Sequence, residues 1–306
     1  MKLRTTLGLA LAATLSLHAA DKGWSFADTP GARDVLFDGK VVLRHMNAWD
    51  NSTPARRTET FKTYTHVFDF DGNKPITKGT GGKFPHHRGC FIGWNKTIFE
   101  GVSYDFWHCP KVERHHVKYL EDSKAGPDSA VLSSTTDWPT PEGKIVIHET
   151  QKIKATKPAP GVLVLDFDFT LEAPSGPVKL EGDVQHAGFH FRADNDVVEK
   201  ETAYIMPEGA VKKGGDVWEK TNWVVCQFTT SGHRYAVAHF NDPKNATPLQ
   251  YSTRAYARFG AYSKTEVKPD APLKLRYRII VTDAEKGAVP AAAEWQKQWD
   301  EFAKQG

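Results

Sequence analysis

The stretch DVQHAGFHFRAD (residues 183–194) alternates apolar and polar side chains almost strictly from Gln185 onward. Ala187, Phe189 and Phe191 share one face; His186, Gly188, His190 and Arg192 share the other. Successive strand residues point to opposite sides of a sheet, so this is a strand with one face for a core and one for something else. The same period of two recurs from Val35 almost to the C-terminus, as in VLFDGKVVLRH around Asp38-Gly39, GCFIGWN (89–95), VLVLDFDFTL (162–171) and LKLRYRIIVTD (273–283). Turn clusters such as EDSKAGPDS, PTPEG and APSGP separate these runs. Many short strands with turn chemistry between them predict an all-β fold, an antiparallel β-sandwich. The one clear helical pattern is AAAEWQKQWDEFAKQ (291–305), where Trp295, Trp299 and Phe302 form a single stripe that would pack on a sheet.

Outward from this stretch the chain shows no linker, repeat or low-complexity segment, which predicts one domain over residues 21–306. Residues 1–20 have a different character. Lys2 and Arg4, an apolar run from Leu7 to Leu17 and the small pair Ala19-Ala20 read as a cleaved signal peptide, so a periplasmic or secreted protein is expected. Without that leader the chain carries 38 basic against 37 acidic residues, and no basic block. That balance offers no footprint for nucleic acid, and no later segment is apolar over the about 20 residues a membrane helix needs. Three cysteines leave one unpaired; a Cys90–Cys109 disulfide and three buried thiols are both open. Oligomeric state is not legible.

Solvated sheet faces are usually built from Lys, Glu, Thr and Ser, so the His-Gly-His-Arg face of 186–192 reads either as structural hydrogen bonding or as a surface turned to a ligand. Gly188 would let something approach the backbone. A second such place is KFPHHRGCFIGWN (83–95). On a strand His86 and His87 would face opposite ways, so at most one should reach a shared site. Arg88 could clamp an anion or pair with an acid. In SYDFWHCP (103–110), Asp105 and Trp107 share a face: a carboxylate for hydroxyls beside an indole to stack on a sugar. His115-His116 reads as a solvated strand edge, and Glu149 as a candidate base.

Metal ligation is constrained by spacing. Residues four apart on a strand lie about 13 Å apart, whereas each bond to zinc is about 2.0–2.1 Å long. His186 and His190 therefore cannot share an ion unless Gly188 makes a bulge. No dedicated metal motif occurs, so no cofactor is assigned; a copper or zinc ion held by His86, His108 and His190 stays open.

The blocks YTHVFDFDGNKPITKGTGGKFPHHRGCFIGWNKT, DFWH and QHAGFHFRA, with the late RFG (258–260), resemble a family of exported bacterial proteins labelled "methane oxygenase PmoA"-like. That resemblance covers most of the chain and implies an association with polysaccharide-degrading bacteria. It puts His86, His87, Arg88, Asp105, Trp107, His186 and the FHFRA segment among the residues that matter. The sandwich is then expected to take the large two-sheet form of galactose-mutarotase-like proteins. The leading expectation is a carbohydrate-active enzyme, a hydrolase, lyase or epimerase working through imidazole acid–base chemistry. His86 or His87 would act with His186, His190 would line the same face, and Asp105 would orient a histidine or hydroxyl. Arg88 and Arg192 would bind charge, and Trp107 would stack. A non-catalytic glycan-binding protein is the rival.

Overall fold

A computed structural model describes residues 22–305. The signal-peptide reading of residues 1–20 lies outside them. The chain folds as an antiparallel β-sandwich with a C-terminal helix. Ten strands form the first large sheet, in the order Trp24–Thr29, Ala32–Phe37, Lys40–Met46, Tyr64–Val67, Cys90–Trp94, Ala187–Arg192, Arg258–Tyr262, Gln250–Ser252, Val217–Glu219 and Val211–Gly214. A second sheet of nine strands faces it, centred on Val162–Glu172 and Leu273–Asp283, and a four-stranded sheet flanks them. Every described pairing in the three sheets is antiparallel.

The core is built from the alternation that the sequence displays. Along Val162–Glu172 the odd-numbered side chains from Leu163 to Leu171 are buried, and the even-numbered ones between them are more exposed. Phe167 and Phe169 meet Phe189 of the opposite sheet, with ring centroids 4.8 and 5.3 Å apart. Each such ring contributes about 3–5 kcal/mol on truncation. The C-terminal helix, Ala292–Lys304, buries Trp295 and Phe302 against Trp223, Val225, Phe240 and Ile280 on the outer face of the second sheet.

The two histidine-bearing stretches are neighbouring strands: Cys90–Trp94 pairs with Ala187–Arg192, with Gly93 opposite Gly188 and Phe91 opposite His190. All six residues of Ala187–Arg192 are buried, which corrects the expectation of one face open to ligand. Phe189 turns into the sandwich, while His190 turns the other way and lies under Trp107 at 4.6 Å. Gly188, at φ +88°, is approached by a strand and not by a ligand: a Cβ there would stand 1.9 Å from the Ala261 carbonyl oxygen.

One local reading is also corrected, and two points left open are filled in. Residues 83–88 and 105–108 are turns, not strands, so strand alternation does not set the directions of His86 and His87 or of Asp105 and Trp107. A short helix, Pro54–Thr60, was not anticipated. Its signal is Thr53-Pro54: the threonine hydroxyl accepts from Arg56 N at 3.1 Å, and proline fits the first helical position. Cys90, Cys109 and Cys226 are all buried free thiols.

Candidate metal centre

On the outer face of the first sheet, three histidines from three separate loops come together. His86 belongs to the turn before Cys90–Trp94, His108 to the loop after Val102–Tyr104, and His186 immediately precedes Ala187–Arg192. One ring nitrogen from each lies within 4.8 Å of the other two. Ring centroids are 4.4 Å apart for His86–His108, 4.8 Å for His108–His186 and 6.2 Å for His86–His186. Bonds of about 2.0–2.1 Å in a tetrahedral site put nitrogens about 3.3 Å apart, so rotamer adjustments of about 1.5 Å would close the rings on one ion.

Two of the rings are held in the same way. Asp105 and His108 are three residues apart, as are Asp183 and His186. Asp105 accepts from Trp107 N (3.0 Å) and His108 N (2.8 Å), and its other oxygen takes His108 Nδ1 at 2.7 Å. Asp183 accepts from Gln185 N at 2.8 Å and from His186 Nδ1 at 2.9 Å, while Asn95 Nδ2 fixes it from the side at 2.8 Å. In each case the carboxylate closes a turn on the residue two positions on, then holds the imidazole one further along. With Nδ1 committed as donor, Nε2 is the nitrogen left to face the cluster. A carboxylate behind a histidine is the usual support of a metal-bound imidazole, because it fixes tautomer and orientation. The third ring, His86, has its Nε2 buried without a hydrogen-bond partner.

Electrostatics keep His86 and His186 in the ligating form. Burial, then the neighbouring His108, Lys62 and His186, push the His86 imidazole down to about 3. Burial lowers His186 as well, outweighing the pull of Asp183. Burial alone would raise Asp105 and Asp183; hydrogen bonds, with the His108 and His186 side chains foremost, outweigh it and hold both carboxyls below their ordinary range.

The other residues expected at the site divide clearly. His87 stays with the cluster: its ring is 4.2 Å from His86 and 6.2 Å from His186, both of its nitrogens are buried and unpartnered, and it is held well below the usual imidazole range by burial and then Arg258. Both members of the adjacent pair therefore reach the site. The turn makes this so: His87 N donates to Phe84 O at 3.0 Å, and Gly89, at φ +40°, lets the chain pass where a Cβ would stand 2.3 Å from Thr65 O.

His190 does not join the cluster. Its Nε2 donates to Ala187 O at 2.9 Å and its Nδ1 takes Arg258 Nη1 at 3.1 Å, so both nitrogens are spent inside the fold. His186 supplies the third ring in the place expected of His190. Arg88 is fully buried and donates to the carbonyls of Thr58, Glu59 and Pro85, anchoring the end of Pro54–Thr60. Arg192, buried beneath the Tyr256 ring, donates to the carbonyls of Ala193, Asp194 and Tyr256. Trp107 is fully buried between Phe91 and His190, so it cannot offer a face for sugar stacking. Glu149 lies in the core, 2.5 Å from Arg114.

Sequence reasoning missed Asp183. The signal was present: DFWH and DVQH repeat one Asp-x-x-His spacing. It also missed Phe84 and Tyr256, whose rings lie 5.2 Å apart and 5.6 and 6.2 Å from His87. The cluster sits at the surface, with His108 and His186 side chains 31% and 28% exposed. Depressions lie elsewhere, one of about 730 Å³ between Trp49, His115 and Pro139, and one of about 600 Å³ over the charged face of Lys152, Asp166 and Arg276. Neither contains the histidines of the cluster; the convergence of ligating atoms, and not cleft size, marks the site.

No curated protein matches the sequence. Among solved structures, a putative kojibiose phosphorylase from the human microbiome superposes at TM-score 0.41 and 12% identity, over 86% of this chain and 32% of that one. The chain thus spans about a third of that enzyme. A galactose mutarotase related enzyme from Lactobacillus acidophilus gives 0.39 and 8% (84% and 97% covered), and an aldose epimerase homologue from C. elegans 0.35 and 10% (85% and 98%). Among the described residues, no helix is long and apolar enough to cross a membrane. Over residues 32–296 the sequence matches the model of a family of unknown function, DUF6807, and the chain belongs to that family.

Proposed function

We propose that the protein is a metal-dependent carbohydrate-active enzyme whose His86, His108 and His186 hold one transition-metal ion, zinc or copper in class, with a coordination position open to substrate. One observation carries this reading: three imidazoles from three loops aim ligating nitrogens at one point, two of them through the same Asp-x-x-His support. Three protein ligands with an open position are the usual set of a catalytic rather than a structural zinc, and imidazole suits zinc and copper.

The chain's own groups fit proton chemistry at a ligand oxygen. Asp105 and Asp183 keep the two rings oriented. His87, unmetallated and neutral beside His86, offers a nitrogen lone pair to a hydroxyl or water brought to the open position. Phe84 and Tyr256 border the cluster and offer apolar surface to a sugar ring. A metal ion supplies polarisation of the bound oxygen. The reaction class that follows is hydrolysis, elimination or epimerisation of a glycan fragment, in an exported protein.

The test is a screen of oligosaccharides for product by mass spectrometry, with native protein, chelator-treated protein and folded His108→Ala. The reading expects turnover that chelation removes, added metal restores and His108→Ala lacks. Turnover that survives chelation would return the chemistry to the imidazoles alone. Saturable sugar binding with no product in any sample would make the protein a glycan-binding module.

A further inference from the structure

The cations around this site form no ion pairs among the described residues; Asp105 acts on Lys62, and Asp194 on Lys78 and Arg192, only from a distance. Lys62 is 1% exposed; its ammonium donates to the Trp107 carbonyl at 2.6 Å and stands 3.6 Å over the Phe91 ring. Lys78, fully buried, donates to the carbonyls of Gly79 and Gly81 at 3.1 and 2.6 Å. Arg258 is 1% exposed and donates to Gln185 O and His190 Nδ1. Arg192 bonds only carbonyls. Among the described residues none of these four forms an ion pair, whereas the equally buried Arg114 is paired with Glu149 at 2.5 Å. The two acids that hold the cluster, Asp105 and Asp183, are committed to His108 and His186.

A buried cation without a counter-ion is costly, because carbonyl dipoles replace only part of its lost hydration. Burial pushes Lys62 well below the ordinary lysine range and Lys78 down to about 8, so the positive field here rests on Arg192, Arg258 and Lys78, and a bound metal ion would strengthen it. Orphaned donors point the same way: Trp107 Nε1, Arg192 Nε and Arg258 Nε are buried, unpartnered, and able only to donate. The rim adds a platform and a reachable charge. Phe84 is 38% exposed beside the half-buried Tyr256, and the Lys83 ammonium lies 5.4 and 5.5 Å from the two ring centroids. Its acid partner is Glu199, at 3.4 Å on an exposed surface.

We infer that the substrate of this site is an acidic carbohydrate, a sugar ring seated on Phe84 and Tyr256 with the oxyanion of a carboxylate or sulfate ester drawn to Lys83 and the unpaired cations behind it. This rests on the reading that the three-histidine cluster is the working centre. A neutral sugar would leave the positive field unanswered; an acidic one supplies the opposing charge.

The experiment is calorimetric titration of the metal-loaded full chain with methyl glucoside, methyl glucuronide and methyl glucoside 6-sulfate, with metal content measured on each sample. At low ionic strength at least one charged ligand should bind about tenfold or more tighter than the neutral one, with the margin narrowing as salt rises. Which charged ligand wins separates carboxylate from sulfate. Lys83→Gln should shrink the margin while keeping the metal, and Phe84→Ala should weaken neutral and charged ligands alike. Equal affinity for all three, or binding of none, overturns the inference. A metal-free protein that still prefers the charged sugar would leave the inference standing and remove the metal reading. A metal-loaded protein indifferent to charge would do the reverse.

Discussion

Two kinds of histidine occupy this molecule, a few ångströms apart. His190 and His239 are core histidines. His239 is fully buried, with Nδ1 on Tyr251 Oη at 3.1 Å and Nε2 on Phe189 O at 3.2 Å. His190 likewise spends both nitrogens, on Ala187 O and Arg258. His108 and His186 spend one each, on a carboxylate three residues earlier, and turn the other outward. A ring with both nitrogens bonded inside the fold stabilises it; a ring with one nitrogen held and one free is poised to bind. Pairing with an acid is not sufficient on its own. His148 also pairs with Asp137, at 2.6 Å, yet it joins no cluster of three ligating groups among the described residues. Convergence makes the difference.

The largest effect that would break this comparison is on metal content. His186→Ala should leave the ion undetectable by mass spectrometry, while chemical denaturation moves by no more than about 1 kcal/mol, since the residue is part-exposed and outside the core. A large loss of stability with the metal retained would mean that His186 belongs with the core histidines. The converse substitution, His239→Ala, removes two buried hydrogen bonds and leaves a void. It should cost about 3–5 kcal/mol in denaturant unfolding, with metal stoichiometry per folded chain unchanged. His239→Gln, which keeps some hydrogen bonding, serves as the control if the alanine variant does not fold.

Titration follows burial rather than role, since His86 of the cluster and the core rings are pushed down alike. Burial pushes His239 down to about 3, and likewise His45, a second buried ring whose Nδ1 meets Thr65 Oγ1 at 3.3 Å while its Nε2 has no partner. Both are neutral in the fold, whereas in the unfolded chain they titrate near about 6.5. Their stabilisation is complete above about pH 6.5 and is lost as pH falls from there toward about 3, because the unfolded chain then binds protons the fold refuses. Each should lower stability by about 2 kcal/mol between pH 7 and pH 5. Urea titrations at the two pH values check this, and a His239→Gln protein should show the smaller drop. The finest distinction concerns the supports. Asp183→Asn keeps the shape but exchanges a carboxylate for an amide, and should weaken metal affinity about 10–100-fold with no change in fold. An unchanged affinity would mean that Asp183 does not orient a ligand.

The sandwich was legible because alternation is a local property: Leu163 to Leu171 and Ala187 to Phe191 announce which face is apolar without knowledge of the partner. The terminal helix was legible for the same reason, through the stripe of Trp295, Trp299 and Phe302. The site was only half legible. His86, His87, His186 and Asp105 stood out by type, but their arrangement depends on turns at 83–88 and 105–108 that fold across the sheet, and strand geometry gave the wrong directions there. Arg88, Arg192 and Trp107 look functional by chemistry and are buried by topology, a matter of which loops cover them. The repeated Asp-x-x-His spacing was in the sequence; its meaning needs two distant loops at one place.

The most direct measurement is an anomalous difference map from crystals of the protein grown with zinc and without chelator. A three-histidine centre predicts one strong peak, bonded by His86, His108 and His186 at about 2.0–2.1 Å each, with Asp105 and Asp183 behind two of the rings. Three rings left apart with no peak between them, or a peak that recruits His190 in place of His186, would contradict it.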